Sequence, residues 1–246
     1  MTPETPDEDE LQQAMEELRQ RRAVGDRDGE LECLQVIAEL HFVGLRWGPA
    51  EKLAKQALRI LEERPVGADL LWCISCLAWC RARTGRTRFA AETLSHCPDP
   101  ATFAGELEEG DAQTFLDAAS EVADTCEESG MWEQAASCWQ MALSGARVLG
   151  QPDREVDALL ALSRLGRVQG RDGDALLLAR RSLQLARAAG DLVGEAQARY
   201  GVGYAWSLVG RWRAARRALE RGLKLYRGIG DAEAAAYCQC RLAFVA

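Results

Sequence analysis

The chain has 246 residues, 48% hydrophobic and 28% charged, with 30 lysines and arginines against 38 aspartates and glutamates, for a net charge of -8. Alanine, leucine, arginine and glutamate dominate and no run of alternating β-branched and aromatic residues occurs, which predicts an all-α fold and excludes a sheet-based one. No stretch reaches the roughly 20 apolar residues of a membrane span, the start is acidic rather than basic-then-apolar, and nine cysteines form no disulfide framework, so a cytoplasmic protein with free thiols is expected.

Residues 1–10 read as an acidic, flexible tail and 11–246 as a repeat domain. A leading helix is expected near Asp9–Ala23, then five helical hairpins, then a last helix near Ala232–Ala246, about twelve helices in all. Breaks are predicted near 25, 65, 98–112, 150, 190 and 230, with Pro98 and Pro100 ending one helix early. The first helix of each unit carries an aliphatic residue followed by a small one: Ile37-Ala38, Leu77-Ala78, Val122-Ala123, Leu162-Ser163, Val202-Gly203 and Leu242-Ala243. Twelve residues beyond the first five small residues stands an alanine (Ala50, Ala90, Ala135, Ala175, Ala215), and every interval is forty except one of forty-five. Small residues at fixed register are what two helices need where they cross closely. Gly85, Gly130, Gly170 and Gly210 follow the first helices at a constant offset, where a left-handed residue ends a helix. Gly190 is expected to stop one helix and Asp191 to cap the next.

Charge is unevenly distributed: residues 89–146 hold 12 acidic and no basic side chains, whereas 147–246 hold 10 acidic and 17 basic. An acidic middle and a basic C-terminal portion are expected, against the plainer reading of solvated faces with incidental bias.

The small-residue register resembles the tetratricopeptide repeat family in its forty-residue variant, as in adaptors of the LGN and Pins type, kinesin light chains and MalT-type regulators, and the resemblance covers residues 11–246. It implies a right-handed superhelical solenoid of antiparallel helix pairs whose first helices line a concave groove. Carrying the family's groove positions across implies that Trp72, Trp79, Tyr200, Tyr204, Tyr237 and Phe244 face that groove, with Asp117 and Asp124 in its middle and Arg164 and Arg167 beside them. Aromatic and arginine anchors beside charges suit a peptide-binding groove; the competing reading is packing between repeats with Asp–Arg pairing. The chaperone-binding form of this groove uses lysine and asparagine, and the chain has no asparagine. In the last helix, Leu242, Phe244 and Val245 are candidates for contact with a second copy or a partner, because a terminal repeat is usually polar on its outer side.

Catalytic signals are weak. Cys73, Cys76 and Cys80 share a helical face and can seed a metal site, but Cys33, Cys73 and Cys238 occupy the repeat position held elsewhere by Ala118, Ala158 and Ala198, which favours packing. Only two histidines are present, His41 and His96, and no phosphate loop or dinucleotide fingerprint occurs; the Gly201-Val202-Gly203 run falls inside a helix, where glycine serves packing. Trp47, Trp132 and Trp212 share one position at the start of second helices and read as architectural. The basic run 210–227 reads as a solvated face rather than a nucleic-acid site. The expected function is a non-catalytic adaptor for a protein or peptide, with no cofactor and no membrane or nucleic-acid partner. A peptide-sensing module of a regulator is the alternative, and metal binding through the cysteine cluster a lesser one.

Overall fold

Helix punctuation follows local chemistry at Gly190 and Gly230. At Gly190 the backbone turns left-handed, φ 71°, which lets the last carbonyls of one helix be capped without the strain a Cβ brings. Asp191 then accepts a hydrogen bond from the amide of Gly194 at 2.9 Å, capping the next helix. Asp231 does the same for the amide of Ala234.

The computed structural model describes residues 8–62, 67–103 and 109–245. Among them are twelve α-helices and one 3-10 turn: α1 (Glu8–Val24), α2 (Arg27–Val43), α3 (Trp47–Leu61), α4 (Ala68–Arg83), α5 (Thr87–Ser95), the turn Pro100–Phe103, α6 (Glu109–Glu128), α7 (Trp132–Val148), α8 (Pro152–Val168), α9 (Asp172–Ala189), α10 (Leu192–Leu208), α11 (Trp212–Ile229) and α12 (Ala232–Phe244). The all-α expectation holds among the described residues, where Gly25, Gly150, Gly190 and Gly230 each stand between two helices. The break near 65 and most of the expected tail lie outside the described residues. Glu8, Asp9 and Glu10 lie within helix α1, so residues 8–10 are helical rather than tail. Helix α5 stops at Ser95, ahead of Pro98 and Pro100. No described helix is long and apolar enough to cross a membrane.

The chain divides into two compact units, one ending at Met131 and one beginning at Trp132. In the first, each helix packs on its neighbour in sequence and α4 also packs on α6; in the second, α8 also packs on α10. In these two cases, α4 on α6 and α8 on α10, a first helix lies against the first helix of the adjoining repeat. In the second unit the register becomes explicit at the crossings. Ser163 donates its hydroxyl to the carbonyl of Ala175 at 2.8 Å, twelve residues on, so the polar atom enters the crossing without an orphaned hydrogen bond. A Cβ at Gly203 would stand 2.6 Å from Leu219 Cγ and 3.2 Å from the carbonyl oxygen of Ala215.

The core of the first unit is Leu18, Leu34, Ile37, Ala54, Ala57, Trp72, Cys73, Cys76 and Leu77. In the second, Ala196, Ala215, Leu219, Tyr226, Ala235, Cys238 and Val245 cluster together. Val245 is only 7% exposed. It is therefore not available as a docking residue. The chain leaves the helix after Phe244, the Val245 amide bonds back to the carbonyls of Arg241 and Leu242, and its side chain joins the core. Leu242 packs partly against the same cluster, which leaves Phe244, 67% exposed, as the accessible member of that trio.

A buried carboxylate of the first unit, Glu51, is met by partly exposed cations. Glu51 is paired with Lys55 at 2.8 Å and with Arg86 at 2.6 Å, and Arg81 lies at 3.7 Å. The hydrogen bonds from Arg86 are the main reason its carboxyl is held down to about 2.

Candidate functional site

The first unit contains a pocket of about 480 Å³. Its walls come from three first helices, one turn and the start of a second helix: Glu39, Phe42 and Val43 of α2, Leu45 of the α2–α3 turn, Trp47 of α3, Trp72, Cys76, Trp79 and Arg83 of α4, and Thr114 and Glu121 of α6. Spacings of three and four on α2 and α4 bring these side chains to one face of each helix. The rings meet at angles rather than in a flat stack. The centroid of Phe42 is 5.4 Å from that of Trp47 at 76° and 5.5 Å from that of Trp79 at 50°.

Trp72 and Trp79, expected in a groove, both line this pocket, but differently. Trp72 is 1% exposed and belongs to the core cluster, so it is a floor rather than an exposed anchor, with its indole donating a hydrogen bond to Glu39. Trp79 is half-buried, and its Nε1 has no hydrogen-bond partner among the described residues. Burial pushes the Glu39 carboxyl up, and the hydrogen bond from Trp72 opposes that shift. Arg83 lies with its guanidinium carbon 5.4 Å from the Trp47 centroid and pairs with Glu121 at 2.9 Å.

Leu45 carries the most informative backbone. Its φ is 54°, and among the described residues it is the one non-glycine with positive φ. It stands where the following four hairpins place Gly85, Gly130, Gly170 and Gly210, whose φ values run from 70° to 76°. A left-handed leucine costs on the order of 1–2 kcal/mol relative to glycine's freedom there. Leu45 nevertheless occupies the site, 51% exposed and at the mouth of the pocket.

The second unit gathers a different set. Tyr204 of α10 has the guanidinium carbon of Arg167 (α8) 4.4 Å and that of Arg241 (α12) 3.5 Å from its ring centroid. Tyr200 lies 6.1 Å from Tyr204, edge-on. Neither Arg167 nor Arg241 forms an ion pair among the described residues. Burial lowers the Arg167 pKa from its ordinary value, Arg164 and Arg241 lower it further, and Tyr204 and Tyr200 act the other way. Tyr237 stands apart from this group, 59% exposed with a long contact to Glu233.

Asp117 and Asp124 lie on α6 in the first unit, and Gln113 donates a hydrogen bond to Asp117 at 3.0 Å. Arg164 and Arg167 lie on α8 in the second unit. Sequence reasoning does not mark Glu39, Phe42, Leu45, Trp47 or Arg241 as site residues. For Trp47 the shared position with Trp132 and Trp212 points to architecture, whereas the structure makes it a pocket wall.

The cysteine cluster has no geometry for a metal. Cys73, Cys76 and Cys80 are at most 1% exposed, and among the described residues no group of three His, Cys, Asp or Glu is placed to hold an ion. Burial pushes all three thiols up, Cys80 to about 12. These residues pack as small apolar side chains, the reading that the repeat register favours.

No family model and no curated protein sequence matches the chain. Solved structures do. BtubC (BKLC) from P. vanneervenii is 21% identical with a TM-score of 0.58, the match covering 92% of this chain and 93% of that one. The tetratricopeptide repeat-like protein described as a putative kinesin light chain from Podosopora anserina is 16% identical with a TM-score of 0.52, covering 82% of this chain and 98% of that one. A signal transduction ATPase with numerous domains from Pyrococcus horikoshii, with a tetratricopeptide repeat sensor, is 15% identical with a TM-score of 0.58, covering 92% of this chain but 34% of that one. With helical hairpins in both units and close small-residue crossings, the chain has the fold of the tetratricopeptide repeat proteins.

Proposed function

We propose that the protein is a non-catalytic interaction scaffold that holds a segment of a partner protein, with the aromatic pocket of the first unit as its principal anchor point. The observation that carries this reading is Leu45: a strained, half-exposed leucine at a position suited to glycine, placed at the mouth of a pocket walled by Phe42, Trp47 and Trp79. Strain held at one repeat and absent from the equivalent turns is expected where a side chain serves binding rather than folding. Rigid aromatic walls on packed helices favour a bound segment because little side-chain freedom remains to be lost. In the second unit, Arg167 and Arg241, set over the Tyr204 ring, offer positive charge to carboxylates of a partner segment, with Tyr200 beside them and Tyr237 a separate exposed contact residue. Asp117 and Asp124 are proposed as contact residues of the first unit and Arg164 of the second, and Phe244 is a second apolar contact point. Nine cysteines, all free, are consistent with action in the cytoplasm.

Selection of a displayed random peptide library against the full chain, followed by photocrosslinking of an enriched peptide and mapping of the attached residues, tests this reading. Attachment at Val43, Leu45 or Trp79 is expected. Attachment confined to the exposed faces of α9 and α11, or no enriched peptide, contradicts it.

A further inference from the structure

We infer that the pocket of the first unit selects a cationic side chain, the guanidinium or ammonium group of an arginine or lysine in the partner segment. The inference rests on the scaffold reading and specifies the chemistry of its anchor.

Three observations converge. Phe42, Trp47, Trp72 and Trp79 all line one pocket, with Phe42 set at an angle to both Trp47 and Trp79, and aromatic rings attract cations through their quadrupoles. The carboxylate of Glu39 is among them, accepting from the Trp72 indole, and no cationic side chain pairs with it among the described residues. Arg83 shows that this wall accepts a guanidinium: it already sits over Trp47 and pairs with Glu121 across 2.9 Å. Glu39 is left as the carboxylate without such a partner.

The other ligand classes fit less well. A wholly apolar side chain would cover Glu39 and remove it from water with nothing to compensate its charge. An anion would meet two carboxylates, Glu39 and Glu121, against one arginine that is already paired. A cation gains both the ring faces and the free carboxylate, and the pocket volume of about 480 Å³ accommodates an arginine side chain.

The test uses N-acetyl-arginine amide and its neutral isostere N-acetyl-citrulline amide, titrated into the full chain while the indole N–H resonances of Trp72 and Trp79 are followed by NMR. The arginine probe is expected to bind at least about tenfold more tightly than the citrulline probe. In Glu39→Gln, which keeps an acceptor for the Trp72 indole, that preference is expected to vanish. Equal binding of the two probes, an undiminished preference in Glu39→Gln, or no movement of either resonance overturns the inference. If crosslinking still places a selected peptide at Val43, Leu45 or Trp79, charge selection has failed and the scaffold reading stands; if it does not, both have failed.

Discussion

Replacing Trp72 with alanine is expected to lower the unfolding free energy by about 3–5 kcal/mol, measured by urea denaturation. The side chain is 1% exposed and packs in one cluster with Leu34, Ile37, Cys73, Cys76 and Leu77, so its removal leaves a cavity that helices fixed on both sides cannot readily close. Trp132→Ala serves as the comparison. Trp132 is 39% exposed, so the same chemical truncation there is expected to cost much less. Similar losses at the two positions would show that Trp72 is not part of a tightly packed floor.

A second large effect is expected at Gly203, and its sign separates local preference from packing. Glycine inside a helix is disfavoured relative to alanine by about 1 kcal/mol, so propensity alone makes Gly203→Ala stabilising. The crossing dictates the opposite. The new Cβ would lie 2.6 Å from Leu219 Cγ and 2.9 Å from its Cδ2, and Leu219 is fully buried in a packed cluster. A net loss of about 2 kcal/mol is expected. Gly228, in α11, has nothing within 4 Å of an added Cβ, and Gly228→Ala is expected to stabilise slightly. Stabilisation by Gly203→Ala would mean that α10 and α11 are free to separate at that crossing.

These two positions also show what the sequence makes legible. Gly203 belongs to the forty-residue pattern of small residues, and that pattern is readable because helix contact distance leaves little choice of residue at a crossing. Helix ends at Gly190 and Gly230 are readable for a similar reason: the left-handed turn and the aspartate cap are local chemistry. The pocket is less legible. Carrying family positions across marks Trp79, which lines the pocket, but Phe42, Leu45 and Trp47 come from a neighbouring helix, its turn and the helix that follows, and their convergence depends on how α2, α3 and α4 pack. One signal is present in the chain, namely a leucine at a position where the later repeats have glycine. Charge is legible only as a regional bias: the approach of Arg241 to Tyr204 joins α12 to α10 and has no counterpart in local spacing. Val245 illustrates the converse, an apolar terminal residue that reads as a contact surface but folds back into its own unit.

The most direct measurement is the affinity of the selected peptide for Leu45→Gly beside that variant's unfolding free energy. Glycine relieves the positive φ of 54° and removes the side chain at the pocket mouth. Stability is expected to rise by about 1 kcal/mol while affinity falls by about tenfold. That opposite movement would mark Leu45 as a residue kept for binding at the expense of folding. Unchanged affinity in the stabilised variant would contradict the pocket as the anchor of a partner segment.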